Sequence, residues 1–159
     1  MKGSFFYIHE DDSLSLAVKL VEKLYENNQN TLILTSSEME SDILDDKLWT
    51  FSKISFVPHV TEKRYSDNLI VHSVISDTIS VINDSRVLLH CNIDLCEDRY
   101  SSYKNIIADF DKIYHVMTKK FLDRCIGIAN MLCEIGFENK YYVYNNTKWE
   151  SLDKLEGLL

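Results

Sequence analysis

A chain of 159 residues with 45% hydrophobic residues, only four glycines and one proline has the composition of one compact, regular domain and not of a disordered segment. Its formal net charge of −8 and pI near 5.0 argue against salt-driven binding to nucleic acid, which needs clustered Lys and Arg. No apolar run reaches membrane-spanning length. The opening residues turn polar too early for a secretory leader, so the expected compartment is the cytoplasm.

In chain order, Ser4–His9 is apolar and aromatic and reads as a first buried strand. In Glu10-Asp11-Asp12-Ser13, an Asp or the Ser can accept from the orphan backbone donors of a helix start. Leu14, Ala17, Val18, Val21, Leu24 and Tyr25 then form one apolar stripe at helical period. The run Thr31–Thr35 is short and continuously apolar, as in a strand covered on both faces. Strand, helix and strand at this spacing imply a right-handed crossover and a parallel pair. Ser36 or Ser37 caps a second helix, whose carboxylates Glu38, Asp42, Asp45 and Asp46 read as a solvated face. Met39, Ile43 and Leu44 carry the helical spacing toward Leu48 and Trp49.

From Leu48 to His59 neither helical nor strand periodicity holds. This stretch carries one of two tryptophans, two of seven phenylalanines and Pro58, the single proline. Pro58 removes a backbone donor and pushes Val57 toward an extended conformation. So apolar a loop has two fates: it folds back to seal its own core, or it is presented to a partner.

The segment from Thr61 to Asn68 is polar and reads as an exposed loop. Strands are predicted over Leu69–Ile75 and Val87–Cys91, with a short edge strand over Thr78–Ile82. His72 and His90 lie in those apolar runs and read as hydrogen-bonded core histidines. An acidic loop over Asn92–Arg99 and a short helix over Tyr100–Asp109 precede a strand at Asp111–Met117. A helix is predicted over Lys119–Ile135, with Phe121, Leu122, Cys125, Ile128, Ala129 and Leu132 as its buried stripe, stopped by Gly136 in the left-handed conformation with Phe137 against Leu132. Tyr141–Tyr144 is the last strand, and the residues from Glu150 onward are expected to fray.

The four cysteines, Cys91, Cys96, Cys125 and Cys133, read as free thiols. His90, Cys91 and Cys96 lack zinc-site spacing, and no metal or cofactor is expected. The alternation of strands and helices suggests a mononucleotide-binding fold, yet no glycine-rich phosphate loop follows any strand. No Gly-x-Ser-x-Gly elbow is present either, and no catalytic residue is assigned.

The run Leu-Trp-x-x-x-x-x-Ser-Phe-Val-Pro-His, residues 48–59, resembles the signature of the chi subunit of bacterial DNA polymerase III, a clamp-loader accessory protein. Phe5-Phe6-Tyr7, Gly136-Phe137 and Thr147-Lys148-Trp149 extend the resemblance to both ends; residues 61–112 match in pattern and length only. It implies an α/β, Rossmann-like three-layer fold with a mostly parallel sheet, helices on both faces and no reaction of its own. Residues 1–149 would be one chi-like domain and 150–159 a peripheral extension. The resemblance makes Trp49, Phe56, Val57, Pro58 and His59 the surface that receives the psi subunit.

It also implies a receptor for the acidic C-terminal tail of single-stranded-DNA-binding protein, built in the family on basic residues of the last long helix. Aligned on Gly136-Phe137, this chain has Leu122 and Ile126 there. Lys120 and Arg124, four apart and so on one face, remain as candidates, with Met131 as an adaptable apolar contact. Two other readings stay open. One is a small nucleotide-binding or hydrolytic enzyme using His59 or His115 with the Glu38–Asp46 carboxylates, and the other an adaptor for a repair helicase.

Overall fold

The computed structural model describes residues 2–10, 13–52, 56–66, 71–79, 84–91, 102–145 and 147–158. The described strands form one eight-stranded sheet in the order β3-β4-β2-β5-β6-β1-β7-β8. They are β1 (Lys2–His9), β2 (Thr31–Leu34), β3 (His59–Thr61), β4 (Ser73–Ser76), β5 (Val87–Cys91), β6 (Lys112–Thr118), β7 (Phe137–Asn145) and β8 (Lys148–Leu152). Every neighbouring pair is parallel except the β7–β8 hairpin. The described α-helices are α1 (Ser13–Glu26), α2 (Glu38–Thr50), a single turn α3 (Lys104–Ile107) and α4 (Leu122–Glu134).

Side-chain alternation in the central strands sorts the core into two layers. Ile33, Ile75, Leu89 and Val116 point to one side and pack with Ala17, Val18 and Val21 of α1 and Leu44 and Leu48 of α2. Leu32, Leu34, Val74, Leu88 and Met117 point to the other side, in the layer of Ile107 of α3 and Leu122, Cys125, Ile128 and Leu132 of α4. Helices therefore cover both faces, the three-layer α/β arrangement that the sequence predicts. Gly136 closes α4 with a φ of +99°, a conformation open to glycine without steric cost, and Phe137 joins the same buried layer as Leu132.

The structure departs from the predicted elements in several places. The polar segment at Thr61 begins as strand β3, an edge strand paired with β4, before a 3-10 turn at Glu62–Arg64. The strand predicted from Leu69 begins at Ser73; residues 67–70 lie outside the described residues. Thr78 and Ile79 are not strand, and residues 80–83 and the acidic loop at 92–99 also lie outside. Strand β7 starts at Phe137, four residues before the predicted strand.

The described residues from Glu150 onward are ordered into the fold. They complete β8, and Leu155 is buried in the α4-side layer. Aromatic packing accounts for this end of the sheet. Strand β1 is buried on one side only, with Phe5, Tyr7 and His9 half-buried on the other. There Tyr7 stacks on Tyr142 at 5.2 Å, His9 stacks on Tyr144 at 5.2 Å, and Trp149 of β8 meets Tyr7 edge-on at 5.4 Å. Burial, with Tyr114 and Tyr142 alongside, pushes the Tyr7 hydroxyl up to about 12.

Candidate functional site

Helix α2 is held firmly at its start. Ser37 accepts from the Glu40 backbone N–H at 3.2 Å, and the Glu40 carboxylate accepts from the backbone and hydroxyl of Ser36 at 3.3 and 3.0 Å. Ser41, Leu44 and Leu48 form its buried edge. The opposite face breaks the usual rule. Among the described residues the exposed large hydrophobics are Met39 (74%), Ile43 (44%), Trp49 (58%) and Phe56 (44%), and all four lie on α2 or in the segment after it. Of Met39, Ile43 and Leu44, which carry the helical spacing, only Leu44 is buried, and Met39 and Ile43 face solvent.

Trp49 and Phe56 stack at 4.8 Å with 30° between their planes. His59 lies 5.3 Å from the indole and 5.6 Å from the phenyl ring. Its imidazole is fully covered, with Nδ1 2.6 Å from Val57 O and Nε2 3.2 Å from Asp45 Oδ1, the latter contact lying off the hydrogen-bond direction. Asp45 is thus not a solvated carboxylate of α2, as the sequence suggests, but fixes the base of the aromatic pair. The sequence hint was its place one turn before Trp49.

The five residues predicted to receive a partner separate by depth. Trp49 and Phe56 are exposed and Pro58 is half-buried. Val57, at 1% exposure, belongs to the core beneath with α1 and α2, and His59 is buried against Asp45. Val57 and His59 support the surface and are not on it. The cause is strand entry: Pro58 O accepts from Ser73 N–H at 3.3 Å, which seats the chain at the sheet edge and turns alternate side chains inward.

The second predicted site is also split. Lys120 Nζ lies 4.9 Å and Arg124 Cζ 5.6 Å from the centre of the Phe121 ring, so two exposed cations flank one half-buried aromatic ring. Met131 is 8% exposed and part of the core, so it offers no surface contact. Leu122 is buried and Ile126 packs on the same layer, which explains why those positions are apolar here. The sequence places Phe121 on the buried stripe of this helix, whereas its ring is only half-buried; its place beside Lys120 and one turn before Arg124 was the available signal of a surface role.

Of the groups that an enzyme reading would combine, His59 meets Asp45 but is fully covered beneath the aromatic pair, and His115 lies elsewhere, in the sheet. His115 is sealed within β6, stacked on Phe6 at 4.1 Å and bonded to Ser4 Oγ at 3.1 Å, while His90 stands opposite it on β5 with ring centres 5.8 Å apart. Burial holds both imidazoles neutral, pushing His90 down to about 3 and His115 well below its ordinary value. Cys91 and Cys125 are buried free thiols raised by desolvation, and Cys133 is exposed. No cluster of three or more metal-ligating side chains occurs among the described residues. Nor is any described helix long and apolar enough to cross a membrane.

The fold is similar to the second domain of a DEAD-box helicase, Mss116p, solved bound to an RNA duplex. The TM-score is 0.56 at 12% identity, over 91% of this chain and 65% of that one. This likeness is one of fold. A "Probable DNA polymerase III subunit chi" of Rickettsia prowazekii (strain Madrid E) is 32% identical over 56 residues, 35% of this chain and about a third (34%) of the relative's length. Residues 1–119 match the family described as DNA polymerase III chi subunit, HolC. That match takes in β1, α1, the whole of α2 and the exposed Trp49–Phe56 pair, and the chain belongs to the DNA polymerase III chi subunit family.

Proposed function

We propose that this chain is a non-catalytic accessory subunit of the replicative DNA polymerase, docking into the clamp loader through a psi-type partner and linking it to single-stranded-DNA-binding protein. The observation that carries the reading is the stacked, exposed pair Trp49 and Phe56 on a buttressed helix end. Two rigid rings bury much apolar area for little lost side-chain entropy, which is the usual make-up of an interface anchor. His59, held beside Asp45, packs against both rings from below, so the partner would meet a preformed surface.

Phe121, flanked by Lys120 and Arg124, has the chemistry to receive a peptide tail that ends in an apolar side chain and a free carboxylate. It stands on the face of the sheet opposite α2, so both partners would bind at once.

The reading is tested by measuring affinity for the clamp-loader partner, psi where the organism has one. Trp49→Ala and Phe56→Ala are each expected to weaken it by about 2 kcal/mol, roughly thirtyfold. Unchanged affinity in both variants overturns the docking surface. For the tail, titration of a peptide with the acidic C-terminal sequence against Lys120→Glu/Arg124→Glu is expected to show severalfold weaker binding than the unaltered chain, with Trp49→Ala binding normally. Equal affinities would remove Lys120 and Arg124 from the site.

A further inference from the structure

We infer that the whole outer face of α2, from Met39 to Trp49 and on to Phe56, is a docking stripe for a basic amphipathic helix of a partner polypeptide. This rests on the reading of Trp49 and Phe56 as a partner surface and adds the chemistry of what covers it.

The stripe has two components. Its apolar part is Met39, Ile43, Trp49 and Phe56, which together hold all the exposed large hydrophobics among the described residues. Its charged part is Glu38, Asp42 and Asp46, all exposed and spaced four apart, hence in one row along the helix. Like charges at that spacing repel and weaken a helix, and α2 carries three in succession. A row that costs its own helix stability gains a purpose when a cation-bearing partner neutralises it.

Lys63 shows how an ammonium seats there: its Nζ lies 3.1 Å from Glu38 and 3.4 Å from Asp42, with all three side chains half or more exposed. It reaches the first two carboxylates and leaves Asp46, nearest the aromatic pair, outside that network. Charge complementarity therefore selects a partner carrying Lys or Arg.

The geometry selects a helix. Met39 and Ile43 are one turn apart on a convex ridge, and ridges of this kind seat in the grooves of another helix. Met39 and Trp49 are ten positions apart, about 15 Å along the helix axis. A partner helix of about three to four turns covers it, with apolar residues along one side and Lys or Arg beside them.

The test uses two labelled 14-residue helical peptides with the same leucine spacing, one bearing Lys and the other Glu at the flanking positions, titrated against the full chain by fluorescence anisotropy. The Lys peptide is expected to bind at least about tenfold tighter than the Glu peptide, from two or three surface charge pairs. Its affinity is expected to fall as salt is raised from about 50 to 200 mM, since exposed pairs are screened. Asp42→Lys/Asp46→Lys is expected to reverse the preference, and Trp49→Ala to weaken both peptides. Equal binding of the two peptides, binding of neither, or a Lys preference that survives Asp42→Lys/Asp46→Lys overturns the inference. If charge preference is absent while Trp49→Ala still weakens the clamp-loader partner, the basic-helix inference alone falls. If Trp49→Ala leaves that partner's affinity intact, the docking surface itself falls.

Discussion

His90 and His115 show at the scale of single residues how burial converts into a stability that depends on pH. Above about pH 6.5 the imidazoles are neutral in both the folded and unfolded chain and contribute no slope. Below that value the unfolded chain takes up protons at both positions, whereas the folded chain resists, His90 down to about pH 3. Stability is therefore lost as pH falls through the unfolded value, by about 1.4 kcal/mol per pH unit for each histidine. Chemical denaturation at several values between pH 6 and 4 is expected to show this acid slope, flattened by about 1.4 kcal/mol per unit in His90→Leu. An unchanged slope in that variant would mean that His90 titrates normally in the folded protein. The neutral pair sits between Ser4, Phe6 and the strands β5 and β6, where an ion has no solvent.

At the scale of elements, the two ends of the sheet solve different problems. The β3 end is short, three residues, and is followed by a charged 3-10 turn, features that discourage unwanted strand pairing. The β8 end is closed by packing. Leu155, at 2% exposure, ties the last turn to the α4-side layer, and Trp149 holds β8 through its contacts with Tyr7 and Tyr144. Leu155→Ala is expected to destabilise the protein by about 2–3 kcal/mol, seen as a lower denaturation midpoint, because it empties a fully covered site. A midpoint unchanged within error would show that the C-terminal segment is peripheral after all.

The element scale also shows what was legible in the sequence. Strands buried on both faces, β2 and β5, read as continuous apolar runs, and α1 and α4 read as stripes, because burial imposes a period on composition. The helix stop at Gly136 was legible because glycine adopts its positive φ freely. The outward turn of Met39 and Ile43 was not, since exposed apolar residues at helical spacing look the same as buried ones. Nor was β8: a short antiparallel strand held by aromatic contacts to β1 leaves no local period. Between Trp49 and His59 the residue types were readable but their depth was not. Val57 and His59 alternate inward only because β3 forms, and β3 forms only because β4 lies beside it.

At the scale of the whole molecule, a mostly parallel sheet with helices on both faces presents two surfaces on opposite sides: the acidic, aromatic ridge of α2 and the basic group around Phe121. The net charge of −8 is concentrated in part on α2, a poor match for a nucleic-acid backbone. The account depends on Trp49 and Phe56 serving a partner and not the monomer's own core. The thermal melt of Trp49→Ala/Phe56→Ala measures that directly. A midpoint within about 3 °C of the unaltered chain is predicted, since two half-exposed rings contribute about 1 kcal/mol to the fold. A fall of about 10 °C or more, as two buried rings at about 3–5 kcal/mol each would give, would contradict it.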